Sequence, residues 1–60
     1  ISFANTQLTN QSFEQVIGGL KDQLHDPKTV DVRNTNVDVT DNRVMNLINN
    51  AKIKGWTVLH

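Results

Sequence analysis

The feature that most limits what this chain can fold into is an internal repeat. Ile1-Ser2-Phe3-Ala4-Asn5-Thr6-Gln7-Leu8 lies over Val30-Asp31-Val32-Arg33-Asn34-Thr35-Asn36-Val37 at an offset of 29 residues. Asn-Thr is identical in both copies, and apolar residues recur in register: Ile1 with Val30, Phe3 with Val32, Leu8 with Val37. Each copy is followed by an apolar set spaced i, i+3, i+4, i+7. The first is Phe13, Val16, Ile17 and Leu20; the second is Val44, Leu47, Ile48 and Ala51. That spacing marks one face of an amphipathic helix. The helical sets are offset by 31, so two extra residues fall in the link near Asp38-Val39. A period of this length signals stacked supersecondary units, each too small to bury its own apolar face. Each unit reads as a short strand, a turn and a helix.

Local chemistry predicts the boundaries. The first helix is expected from about Gln11 or Ser12 to Leu24, with Ser12 and Gln15 forming a capping box or Asn10 acting as the cap. Gly18-Gly19 inside it costs about 1 kcal/mol per glycine relative to alanine. Pro27 stops the segment, and Lys21 and His25 suit its negative end. The second helix is expected from Asp41 to about Lys54, with Thr40 as N-cap and Gly55 just past the end. Asp41 suits its positive end, and Lys52 and Lys54 its negative end. Trp56-Thr57-Val58-Leu59 then reads as a third strand.

The resulting order is β-α-β-α-β, with right-handed crossovers between parallel strands. A parallel sheet covered on both faces has continuously apolar strands. Here Ile1, Phe3, Val30 and Val32 alternate with Ser2, Ala4, Asp31 and Arg33, so one face is expected to be open. The prediction is an α/β fold: a single-layer parallel sheet with helices on one face, in one small domain over 1–60. Repeat one spans about 1–29, repeat two about 30–57, and a partial third strand 56–60. Its expected core is Phe3, Leu8, Phe13, Val16, Ile17, Leu20, Val30, Val32, Val37, Val44, Leu47, Ile48 and Ala51, with Trp56 beneath the second helix.

These residues resemble the leucine-rich-repeat family. Its strand pattern L-x-L-x-x-N-x-L is met by Ile1-x-Phe3-x-x-Thr6-x-Leu8 and again by Val30-x-Val32-x-x-Thr35-x-Val37. The resemblance covers nearly the whole chain as about two and a half repeats, and implies a solenoid fragment. It also implies that Thr6 and Thr35, which stand where the family most often has Asn or Cys, turn inward to bond neighbouring backbone. Leucine is scarce at the consensus positions, and the link to the third strand is short. Asn-Thr followed by a helix and then Lys-Gly-Trp-Thr-Val also resembles degenerate repeats of phage virion and bacterial surface proteins, which implies a virion or extracellular location.

Composition narrows the function classes. Six Lys plus Arg balance six Asp plus Glu, which excludes nucleic-acid binding through a broad basic face and a polybasic membrane anchor. There is no Cys, hence no disulfide, thiolate metal site or catalytic thiol. No apolar run exceeds two residues, so a membrane span is not expected, and the start lacks the pattern of a signal peptide. Asn occurs eight times, Thr six and Glu once, a polar but weakly charged composition that fits an exposed structural protein. Ile1 in place of Met suggests a processed or excised chain.

No residue set suggests a catalyst or cofactor. His25 beside Asp26 has no second histidine nearby, so it is expected to be a solvated loop residue. The alternating oxygen donors of Asn36 to Asp41 lack the glycine and the distal glutamate of a calcium loop, so capping explains them. Gly18-Gly19 lies within a helix pattern and not after a strand, which excludes a phosphate loop. Asn10-Gln11-Ser12 matches the glycosylation triplet, a match expected by chance in so Asn- and Thr-rich a chain. Catalytic, metal and cofactor residues are therefore expected to be none.

The expected chemistry is contact. Ser2, Ala4, Asp31 and Arg33 form the candidate interaction face on the open side of the sheet. Ile1, Phe3 and Met45 are the candidate edge or assembly contacts, because edge strands and uncapped repeats need covering. The expected partner is protein: copies of this chain or the remainder of a longer one. The competing expectation is a standalone monomeric regulator that binds one protein through its open sheet face.

Overall fold

The computed structural model describes Ile1–His60. Four elements follow in order: α1 (Asn10–Gly18), β1 (Lys28–Asp31), α2 (Asn42–Ile53) and β2 (Trp56–Leu59). β1 and β2 pair in parallel as a two-stranded sheet, with Lys28 opposite Trp56 and Val30 opposite Val58. The crossover between them is α2, which packs on β2 and on α1. The chain is thus a small α/β unit of two helices and a parallel strand pair.

The expected first strand is present only as a single parallel bridge, Ser2 to Asp31. Its hydrogen bonds are nonetheless regular. Asp31 N donates to Ile1 O at 2.9 Å, Phe3 N to Asp31 O at 2.7 Å and Asn5 N to Arg33 O at 3.1 Å. The run ends at Asn5, whose φ of 63° turns the backbone out of extended geometry.

Helix α1 is shorter than its apolar spacing suggests. It stops at Gly18 and not Leu24, because Gly19 caps it: its N–H is shared between the carbonyls of Gln15 and Val16, each at 3.2 Å. Two successive glycines make further propagation unfavourable. Leu20 still packs against the core, whereas Leu24 lies exposed in a turn. The N-caps also differ from expectation. Thr9 caps α1 by accepting from Ser12 N, in place of Ser12 or Asn10. Asp41 caps α2 by accepting from Arg43 N at 2.8 Å, in place of Thr40. The cause is Asp38, whose Oδ1 takes both the Thr40 amide at 3.0 Å and the Thr40 hydroxyl at 2.6 Å. That turn moves the helix start one residue on.

The core is Phe13, Ile17, Val30, Val32, Val44, Ala51 and Trp56. Phe3, Leu8, Leu20, Val37, Leu47 and Ile48 pack around it half-buried, joined by Val39 and Val58, which the apolar spacing did not single out. Val16 is half-exposed and outside the cluster. Trp56 is buried as expected, and its indole N–H donates to Lys21 O at 2.8 Å.

The turn into β2 is the tightest crossing in the molecule. Gly55 has φ 87° and lies against the backbone of Gln23, whose N–H donates to Lys54 O at 2.6 Å. A Cβ on Gly55 would come within 2.6 Å of Gln23 C and O. We expect Gly55→Ala to destabilise the fold by about 2–4 kcal/mol, from a left-handed φ plus displaced backbone. Urea unfolding checks this, and a loss below about 0.5 kcal/mol would contradict the crossing.

Candidate interaction surfaces

Three surfaces carry the residues singled out in the sequence: the open face of the sheet, and the two ends of the layered unit. The open face follows from strand alternation. Val30 and Val32 point into the core, so Thr29, Asp31 and Arg33 point away from it. Register places Ser2, Asp31 and Leu59 in one row, with Ala4 beside Arg33.

Asp31 and Arg33 dominate the open face, and they are bonded to each other. Arg33 Nε donates to Asp31 Oδ1 at 3.0 Å and Nη2 to Oδ2 at 2.8 Å, a bidentate fork. The Arg33 amide also donates to Asp31 Oδ1. The Arg33 side-chain bonds, then its backbone bond, hold the Asp31 carboxyl below its ordinary value, and the same side-chain bonding pushes Arg33 up. Asp38 is likewise lowered, first by the Thr40 hydroxyl and then by its amide. Ser2 is exposed and Ala4 half-buried; Ser2 Oγ accepts from Ala4 N at 3.3 Å.

Residues of the two repeats meet at matched positions. Asn5 and Asn34 are the only non-glycine residues at positive φ, 63° and 58°, and Asn34 Nδ2 donates to Asn5 Oδ1 at 2.7 Å. The short amide side chain makes Asn tolerant of this conformation. One residue later, Thr6 Oγ1 donates to Phe3 O at 2.6 Å and accepts from Leu8 N. Thr35 repeats this with Val32 O at 2.7 Å and Val37 N. The threonines therefore brace their own turns, and the side-chain bond between units belongs to the asparagines. That pairing was not singled out in the sequence, although the identity of Asn5 with Asn34 was its signal. Further along, Asn10 Oδ1 accepts from Asp38 N at 2.7 Å, and Arg43 Nη2 donates to Glu14 at 3.2 Å. Asn10, Glu14, Asp41 and Arg43 line a polar cleft of about 400 Å³ between the helices.

The two ends differ from the middle in burial. Ile1, Val30 and Val58 occupy one row. Val30, flanked on both sides, is 0% exposed; Ile1 is 60% exposed and Val58 half-buried. Phe3 packs against the core, so of the three candidate edge contacts it is the least free. Met45, 49% exposed, lies with Val39 and Ile48 in a groove of about 150 Å³. Ile48 also lines an adjoining groove with Trp56 and Val58. Both open on the α2–β2 end. His25 and His60 are exposed, no helix is long and apolar enough to cross a membrane, and no group of three metal-ligating side chains converges. Comparison with known proteins finds no matching family model, curated protein or solved structure.

Two outcomes test these surfaces. Asp31 is depressed in the fold, so its contribution to stability is complete above the unfolded carboxylate pKa near 3.8 and lost as pH falls through the lower folded value. We expect Arg33→Gln to return the Asp31 titration toward 3.8, read by side-chain carboxyl NMR; an unmoved midpoint would exclude the fork as its cause. For the asparagine pair, a double-mutant cycle of Asn5→Gly and Asn34→Gly keeps the positive φ accessible and removes only the side chains. The coupling energy should be about 0.5–1 kcal/mol, and zero coupling would deny the bond in solution.

Proposed function

We propose that the chain is a leucine-rich-repeat-like contact module, working through protein–protein contacts as a structural or adhesion component of a larger assembly. In this reading Ile1–Asn5, β1 and β2 are successive strands of one β-α-β-α-β stack, with α1 and α2 as the helical layer behind them. The observation that carries it is the bond from Asn34 to Asn5, between residues 29 apart with near-identical left-handed backbones. Two unrelated turns have no reason to share φ, side chain and threonine brace. A stack of repeats has one, because each unit must present the same surface to the next.

The reading assigns no chemistry to any side chain. It rests on apolar surface at the ends of the unit, where Ile1 and Met45 are exposed large hydrophobics. The two grooves in which Met45, Ile48 and Val58 lie are the places where such surface is grouped. The open sheet face is the weaker candidate for a partner, since Asp31 and Arg33 already satisfy each other. A virion or bacterial surface setting is the context in which the Lys54-Gly55-Trp56-Thr57-Val58 phrase and the uncharged polar composition make most sense.

Extending the stack tests the reading. A chain with a second copy of residues 30–57 inserted before Val58 keeps the register and adds 28 residues to 60. If the units stack, it unfolds in one transition, with a higher melting temperature and a urea m-value larger by roughly half. An unchanged m-value, from a third unit that hangs unfolded, would sink the repeat reading.

A further inference from the structure

The residues at the two ends of the unit match each other, and the contact already made inside the chain shows what fits them. We infer that the α2–β2 end binds the Ile1–α1 end of a second copy of this chain, head to tail and in the register of the internal repeat. The inference rests on the repeat reading above and names the partner.

The helix pairing carries the first part of the argument. At an offset of 31, Phe13 corresponds to Val44, Glu14 to Met45, Val16 to Leu47 and Ile17 to Ile48. Glu14 bonds Arg43 across to α2, and Ile17, on the same helix, is 2% exposed. Their counterparts Met45 and Ile48 lie in the open grooves at the far end. In the other direction, Arg43 and Leu47 face α1 across the inter-helix cleft. Their counterparts Ser12 and Val16 stand on α1 with no element against them, Ser12 exposed and Val16 half-exposed. Inside the chain, the side of α1 bearing Glu14 and Ile17 meets the side of α2 bearing Arg43 and Leu47. Between copies, Met45 and Ile48 would meet Ser12 and Val16 of the neighbour. The one ion pair of the internal contact, Glu14 with Arg43, is replaced by Met45 with Ser12, and Lys52, which lines the groove beside Ile48, keeps its ammonium at the rim of the contact on its long apolar stem.

The strand edges agree. In the first segment, Ile1, Phe3 and Asn5 spend their backbone bonds on β1, so Ser2 O and the Ser2 N–H face outward. In β2, the carbonyls of Gly55 and Leu59 accept from β1, so the groups of Trp56 and Val58 face outward. Parallel pairing needs the free groups of one strand to sit half a step from those of the other. Placing Ile1 of the neighbour beside Val58 does this: Ser2 N–H then donates to Val58 O, as Asp31 N–H donates to Ile1 O within the chain. The same placement covers Ile1, which is exposed, and Val58, which is half-buried, the two ends of the row whose middle member, Val30, is fully buried. Head-to-tail contact does not close on itself, so it builds a linear array rather than a two-fold dimer.

Sedimentation equilibrium from micromolar to millimolar chain, with circular dichroism on the same samples, tests this. The wild-type weight-average mass should rise through dimer and beyond. Ile48→Lys and Val16→Lys should each stay monomeric, with association weakened at least tenfold. Mixed in equal amounts, they should form a heterodimer and stop there, because each retains one intact end. If either variant loses its fold, Met45→Lys or Ser12→Lys replaces it on the same face. A wild-type chain monomeric throughout would overturn the inference, while a stabilised extended chain would leave the repeat reading standing. Val16→Lys dimerising as well as wild type while Ile48→Lys does not would also overturn it, because that pattern belongs to a two-fold contact.

Discussion

Everything else in this small unit is arranged around two left-handed corners. At Asn5 and Asn34 the backbone leaves the sheet, and the threonine that follows each ties its hydroxyl back to the carbonyl of Phe3 or Val32. A left-handed φ costs a residue with a Cβ roughly 1–2 kcal/mol. The cost is offset where the side chain bonds locally and where the corner repeats, since Asn34 then has Asn5 to bond. The corners decide where the chain turns toward the helices, and so which strand residues lie beneath them. Had Asn34 taken an extended conformation, Val37 and Val39 would not reach the cluster around Val44.

The second constraint is size. A chain of 60 residues buries only about 60% of the surface its unfolded form exposes. Here the buried core is seven side chains, drawn from α1, β1, α2, β2 and the residue that follows β1. Val30 is buried because a segment lies on each side of it; Ile1 and Val58, chemically similar and in the same row, are not. In that row, having a segment on each side, more than hydrophobicity, sets burial.

The helices, the parallel β1–β2 pair and most of the core were legible in the sequence because they rest on periodicity, which a single chain displays directly. Phe13, Ile17, Val44 and Ala51 fall on one helical face, and all are buried. What could not be read was local competition for hydrogen bonds. Thr40 looked like a cap, but Asp38 captured its hydroxyl and left Asp41 to cap α2. Gly19 ended α1 early, its N–H shared between the carbonyls of Gln15 and Val16. The candidate surfaces were legible as rows, since Ser2, Asp31 and Arg33 follow from alternation. The Asp31–Arg33 fork was not: i and i+2 on a strand share a face, but only the built backbone shows both nitrogens reaching the carboxylate.

The edges of the sheet bear on how the molecule is meant to exist. Proteins that stay single blunt such edges with lysine, proline or a covering loop. At the first edge the only device is Ser2 Oγ, which takes the Ala4 amide at 3.3 Å and leaves the Ser2 groups open. At the second, β2 carries neither lysine nor proline between Trp56 and Leu59. Lys28 and Pro27, the residues suited to guarding an edge, lie instead at the start of β1, which pairs with β2 from Lys28 on and with the first segment only from Thr29 on. The open face carries the Asp31–Arg33 pair, and Lys52 is the charged side chain that lines the grooves of the α2–β2 end. The absence of lysine and proline from β2 and from the first segment is the physical basis for the proposal that these edges are contact surfaces.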